Sequence, residues 1–101
     1  MKYFIVELSG IDNPNLDDAA KAELKDKHLA YFGEASKAGL ILFNGPKVGA
    51  VGGCIVFKAE SYEKAQDFFS NDPHVLGKLR EYKIIEFTPA GCQDFVKAWF
   101  D

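Results

Sequence analysis

The sequence predicts one α+β domain built on an antiparallel sheet, and three observations carry the prediction. Short stretches rich in β-branched and aromatic residues alternate with stretches of helical spacing in the order βαββαβ. The two middle strand stretches are joined by a glycine-rich loop, as in a hairpin. A chain of 101 residues that is 48% hydrophobic and 14% aromatic has the size and content of a single domain with its own core.

The first stretch, "KYFIVEL", puts Phe4, Val6 and Leu8 on one side of an extended chain and Tyr3, Ile5 and Glu7 on the other. Gly10, Asn13, Pro14 and Asn15 then break the chain, and Asp17 and Asp18 suit the positive end of a helix dipole. The helix is expected to run to about Ala38, with Gly39 as its left-handed terminator and "LILFNGP" as the second strand. "NGPKVGAVGG" carries four glycines and reads as the hairpin connection to a third strand, "GCIVFKA". Ser61 can cap a second helix with Tyr62, Ala65, Phe68 and Phe69 at helical spacing. "SNDP" ends it, a short helical turn follows Pro73, and "EYKIIEF" is the fourth strand. Pro89 and Gly91 set off a last amphipathic piece, "CQDFVKAWFD", in which Phe95 pairs with Trp99 and Val96 with Phe100 at i, i+4.

The order βαββαβ is the split βαβ arrangement: a ferredoxin-like protomer with an antiparallel four-stranded sheet and both main helices on one side. One sheet face is then left bare. Yet "LILF", "CIVF" and "YKIIEF" offer apolar side chains to both faces, the pattern of strands covered twice. The economical cover is the same sheet from a second copy, giving a dimeric α+β barrel whose self-pairing creates the ligand crevice. The competing cover is the final segment itself.

Composition excludes several classes. A net charge of −3 with twelve scattered Lys and Arg argues against nucleic acid, which demands a positive surface. No apolar run approaches the length of a bilayer span, so no membrane is expected, and "YFIVEL" is too short for a signal core. The cytoplasm is the expected location. Cys54 and Cys92 form neither a disulfide framework nor a CxxC site and are read as reduced. No metal is expected, because neither histidine belongs to an HxxxH or HExxH pattern. The glycine-rich loop lacks the GK[ST] of a phosphate cradle.

At about 100° per residue, Leu24, His28, Tyr31 and Ala35 fall within roughly 60° around the first helix, with Ala20 and Ala38 extending the stripe. His28 is therefore on the apolar side. It is either a structural histidine hydrogen-bonded to its surroundings or an acid–base group, since imidazole titrates near neutrality. A base needs an orienting partner, and Asp72 in "NDPHVLG" is the candidate. An aspartate before proline is equally the cap of a short helix. His74 reads first as a surface residue of that turn and is kept as a pocket candidate. Asn44, Gly45 and Pro46 can offer backbone and amide groups at a pocket rim.

These residues carry a resemblance. "HLAYF" at 28–32, "AGLILFNGP" at 38–46, "AESYEKAQDFF" at 59–69 and "NDP" at 71–73 together resemble the YciI-like (YCII-related) family of small dimeric α+β barrel proteins, in the right order over roughly residues 1–89. The resemblance implies a homodimer or larger homo-oligomer and an active site of His28 and Asp72, beside which the pocket candidates Asn44, Gly45, Pro46 and His74 would help bind substrate. It also implies lyase- or isomerase-like acid–base chemistry on a small molecule without a cofactor. The chain departs from the family at His74, where an aromatic residue is common, and at residues 90–101, an extension that would lid the pocket or enlarge an interface. The expected function is thus a cofactor-independent small-molecule enzyme. The alternatives are a non-catalytic ligand-binding or assembly module, or an oxygenase of the related α+β barrels.

Overall fold

The computed structural model describes residues 1–101. The elements are β1 (Lys2–Gly10), α1 (Asp18–Lys37), β2 (Ile41–Pro46), β3 (Gly52–Ala59), α2 (Tyr62–Ser70), α3 (Pro73–Leu76) and β4 (Arg80–Phe87); after a 3-10 turn at Asp94–Val96 comes α4 (Lys97–Phe100). The strands form one antiparallel sheet in the order β2-β3-β1-β4. This is the expected ferredoxin-like order, with the most regularly alternating strand, β1, inside it. No helix is long and apolar enough to cross a membrane.

The alternation of β1 decides what each sheet face is made of. Phe4 lies opposite Phe57 and Val6 opposite Ile55, and all four are buried under α1 and α2 with Phe32, Ala35, Ala65 and Phe69. Burial of each large side chain is worth ~2 kcal/mol against leaving it exposed. The helices meet this face because their caps start and stop them there. Asp17 accepts from the Ala20 N–H at 2.8 Å and Ser61 from the Lys64 N–H at 3.1 Å, satisfying amides that have no partner within the helix. Gly39, at φ +78°, ends α1 in the left-handed conformation, so that the Leu40 N–H reaches back to the Ala35 carbonyl. Ala38 is exposed, so the buried stripe of α1 stops one turn short of the expected end.

The other face carries a row in register across all four strands: Phe43 of β2, Val56 of β3, Ile5 of β1 and Ile85 of β4. Phe43 is 65% exposed, Ile85 48% and Ile5 43%. A shift in the β2–β3 register between Ile41 and Phe43 explains how β2 serves both faces. Ile41 lies opposite inward-facing Phe57 and is buried, whereas Phe43, two residues on, lies opposite Val56 on the outer face. A bulge of one extra residue reverses the sidedness of everything after it.

The final segment behaves differently from the expected amphipathic helix. Its helical part is broken into a 3-10 turn and one α turn, and Phe95 is 87% exposed, so the expected Phe95–Trp99 pair does not form a buried face. Trp99 and Phe100 instead lie against Tyr3, with ring centroids 5.7 and 5.2 Å away. Three hydrogen bonds fasten them: Tyr3 Oη donates to the Phe100 carbonyl, Lys58 Nζ to the Trp99 carbonyl at 2.6 Å, and Trp99 Nε1 to the Gly39 carbonyl at 2.8 Å. The segment thus covers one end of the outer face and leaves the apolar row beside it open.

Candidate functional site

Two short-range decisions bring His28 and Asp72 together. On α1, the spacing from Leu24 through His28 to Phe32 and Ala35 turns the imidazole toward the body of the protein. After α2, Pro73 starts a new four-residue helix, and Asp72 caps it by accepting the His74 N–H at 3.1 Å. Helix α3 packs against α1, and the same oxygen, Asp72 Oδ1, lies 2.7 Å from His28 Nδ1. One oxygen of Asp72 thus both caps α3 and meets the imidazole of His28. Asp72 is fully buried, and its second oxygen, Oδ2, has no hydrogen-bond partner.

An ionised carboxylate only accepts, so the proton of a neutral His28 sits on Nδ1 and the lone pair on Nε2. The imidazole is 15% exposed and packs against Phe32, centroid 4.3 Å away, and against His74, stacked at 4.4 Å and 24°. His74 corrects an expectation: it is not a surface residue of the turn but is buried with Asp72. Burial, then the neighbouring His28, then Arg80 push its pKa down to about 4, with Asp72 opposing and Lys25 adding to the fall. It is neutral at pH 7. Tyr31, hydrogen-bonded to the Phe68 carbonyl at 2.7 Å, has its pKa raised by burial and then by the negative charges of Asp72 and Asp67.

His28 opens onto a groove of about 1160 Å³ on the helix side of the sheet. Its floor is Leu8, Phe32 and Ile55; its far wall is the β2–β3 hairpin. Asn44, Gly45, Pro46 and His74 all line it, and Asp72 does not. The bulge in β2 is responsible for Asn44, which lies opposite inward-facing Ile55. The groove exists within one chain, so it is not created by self-pairing of the outer sheet face. Nor does the carboxyl-terminal segment lid it, because no residue after Arg80 contributes to its lining. Sequence reasoning missed Lys25 and Arg80, which join the imidazoles along the groove. Lys25 was findable, one helical turn before His28. Arg80, at the start of β4, carried no signal of its own.

Comparison with solved structures supports the fold. A family model described as a YCII-related domain matches residues 1–88. The chain is similar to the structure of 5-chloro-2-hydroxyhydroquinone dehydrochlorinase from Burkholderia phenoliruptrix AC1100 in complex with 2,5-dihydroxybenzoquinone, at 21% identity and a TM-score of 0.65, covering 86% of this chain and 92% of that one. It is also similar to the structure of muconolactone isomerase, at 17% identity and a TM-score of 0.75, covering 91% of this chain and 96% of that one. A search of curated proteins finds no match.

Proposed function

The chain belongs to the YCII-related domain family, and from that premise we propose that it is a small-molecule enzyme of lyase or isomerase type in which His28 moves the proton. Nε2 takes a proton from a carbon acidified by a neighbouring carbonyl, and the electron pair passes into the enolate. The imidazolium so formed is stabilised by the Asp72 carboxylate on Nδ1. Return of the proton to another carbon completes an isomerisation; departure of a leaving group from the enolate completes an elimination. Asn44, the Gly45–Pro46 backbone and His74 shape the pocket, and no cofactor takes part. The single observation that carries the reading is the 2.7 Å contact that fixes the His28 tautomer beside an open groove. The named activities of the two similar structures, a dehydrochlorinase and an isomerase, are of the same two types.

The assembly belongs to the same proposal. Residues 1–89 form the domain, residues 90–101 are its extension, and a second copy covers the Phe43–Ile85 row. An assembly module without catalysis is favoured only by that row, and it leaves the groove unexplained.

The experiment is deuterium uptake from D2O into small cyclic enones and lactones, followed by NMR. His28→Gln is expected to lower exchange by a factor of ~10² to 10⁴, and Asp72→Asn to lower it less. A folded His28→Gln protein that exchanges as fast as the wild type removes this mechanism.

A further inference from the structure

The charge of the groove is opposite to that of the protein. The whole chain has 15 acidic and 12 basic residues, but the groove is lined by Lys21, Lys25, Lys47 and Arg80 against one surface carboxylate, Asp12. A third of the cations thus meet a fifteenth of the acids. Lys47 is already engaged, with Glu7 at 3.0 Å and Ser9 Oγ at 3.1 Å. Lys21, Lys25 and Arg80 form no ion pair with any side chain; Arg80 donates only to the adjacent Leu79 carbonyl, at 2.8 Å. A guanidinium has five N–H donors, so most of its fork is free.

Two of these cations bear on the imidazoles. Lys25 precedes His28 by three residues, one helical turn, and Arg80 begins the strand that follows α3. Both act on His74 electrostatically, in the direction that disfavours another positive charge there. Unpaired cations in a concave site with apolar walls focus a positive potential toward its interior. Beside them Ile11, Leu29 and Val51, all partly exposed, offer an apolar surface for a non-polar body.

We infer that the groove takes a small organic acid, its anionic group held between Lys25 and Arg80 and its apolar or planar body laid against Leu29 and Val51 next to His28. The inference rests on the groove being the ligand site proposed above, and adds the substrate class. Hydrogen bonds between charged partners are shorter and stronger than neutral ones, and an amide of the same shape forfeits them.

The test uses the full-length protein and three acid and amide pairs: acetate with acetamide, 2-furoate with 2-furamide, and benzoate with benzamide. Binding is followed by NMR of the histidine ring protons. At least one ring acid is expected to bind about tenfold more tightly than its amide, a difference of ~1.4 kcal/mol. The preference should shrink as salt rises from about 20 to about 300 mM, as screening shortens the reach of the charges. Lys25→Gln and Arg80→Gln should each reduce the preference, weakening acid binding by more than amide binding. Lys25 is exposed on a helix, so that variant remains informative even where Arg80→Gln disturbs β4. Failure of every acid to outbind its amide, or a preference that survives both substitutions, overturns the inference. His28→Gln separates the two proposals: acid preference should persist in it while deuterium exchange is lost. Loss of the acid preference alone would leave the proton-transfer reading standing.

Discussion

His28 Nδ1 and Asp72 Oδ1 lie 2.7 Å apart across 44 positions of chain, and the same oxygen accepts the His74 N–H at 3.1 Å. One carboxylate atom thus holds α1, caps α3 and orients the imidazole. Asp72→Ala deletes all three functions and leaves two donors in a buried place without their acceptor. It should cost ~2 to 4 kcal/mol in urea unfolding. Asp72→Asn keeps an acceptor but puts an amide nitrogen where Oδ2 has no partner, and should cost ~1 to 2 kcal/mol. Equal stability of Asp72→Ala and wild type would mean that the contact holds nothing.

Stability should fall as the solution is acidified through the range set by His74. Its pKa is about 4 when folded and about 6.5 when unfolded. Between those values the unfolded chain binds the extra proton. The stability associated with this group is therefore complete above pH ~6.5 and is lost as pH falls toward 4, a loss on the order of 3 kcal/mol. His74→Phe retains a ring against His28 and the backbone N–H to Asp72. It should flatten that part of the curve, and an unchanged slope in thermal unfolding between pH 4 and about 6.5 would assign the dependence elsewhere.

Gly52 should be irreplaceable where Gly49 is not. Both have positive φ, +120° and +77°, but a Cβ on Gly52 would sit 2.0 Å from the Leu8 carbonyl oxygen, whereas one on Gly49 meets nothing within 4 Å. Gly52→Ala must push β3 away from β1 beside the groove and should cost ~3 kcal/mol or more. Gly49→Ala carries only the left-handed backbone penalty of ~1 kcal/mol. Melting temperatures of the two variants read the difference directly.

Ile85→Asp examines the outer face. Ile85 ends the row that begins at Phe43, and it belongs neither to the groove lining nor to the buried core. With a second copy on that face, the substitution buries an unpaired carboxylate and should turn a sedimenting dimer into a folded monomer. A wild-type protein that sediments as a monomer up to ~1 mM has no self-association worth more than about 4 kcal/mol and would remove the second copy from the account.

Much of this was legible along the chain because it is local. The sidedness of β1 follows from the two-residue repeat of Phe4, Val6 and Leu8, and the inward turn of His28 from the 3.6-residue repeat of α1. Asp17, Ser61 and Gly39 announce helix ends through their own side chains or backbone freedom. Apolar residues on both faces of β2, β3 and β4, among them Phe43, Val56 and Ile85, were legible in the sequence. Their alignment was not, because the register shift in β2 is a relation between two strands.

Sequence by itself determined the order of elements, the buried faces of β1 and α1 and the identity of the imidazole and carboxylate able to meet. Tertiary structure alone decided that they do meet, that His74 is enclosed against them, and that the groove belongs to one chain with Lys25 and Arg80 along it. The physical reason is one of range. Periodicity and capping are set by bonds and contacts a few residues apart, whereas burial, pKa and the convergence of charges depend on which distant elements the sheet and helices bring face to face.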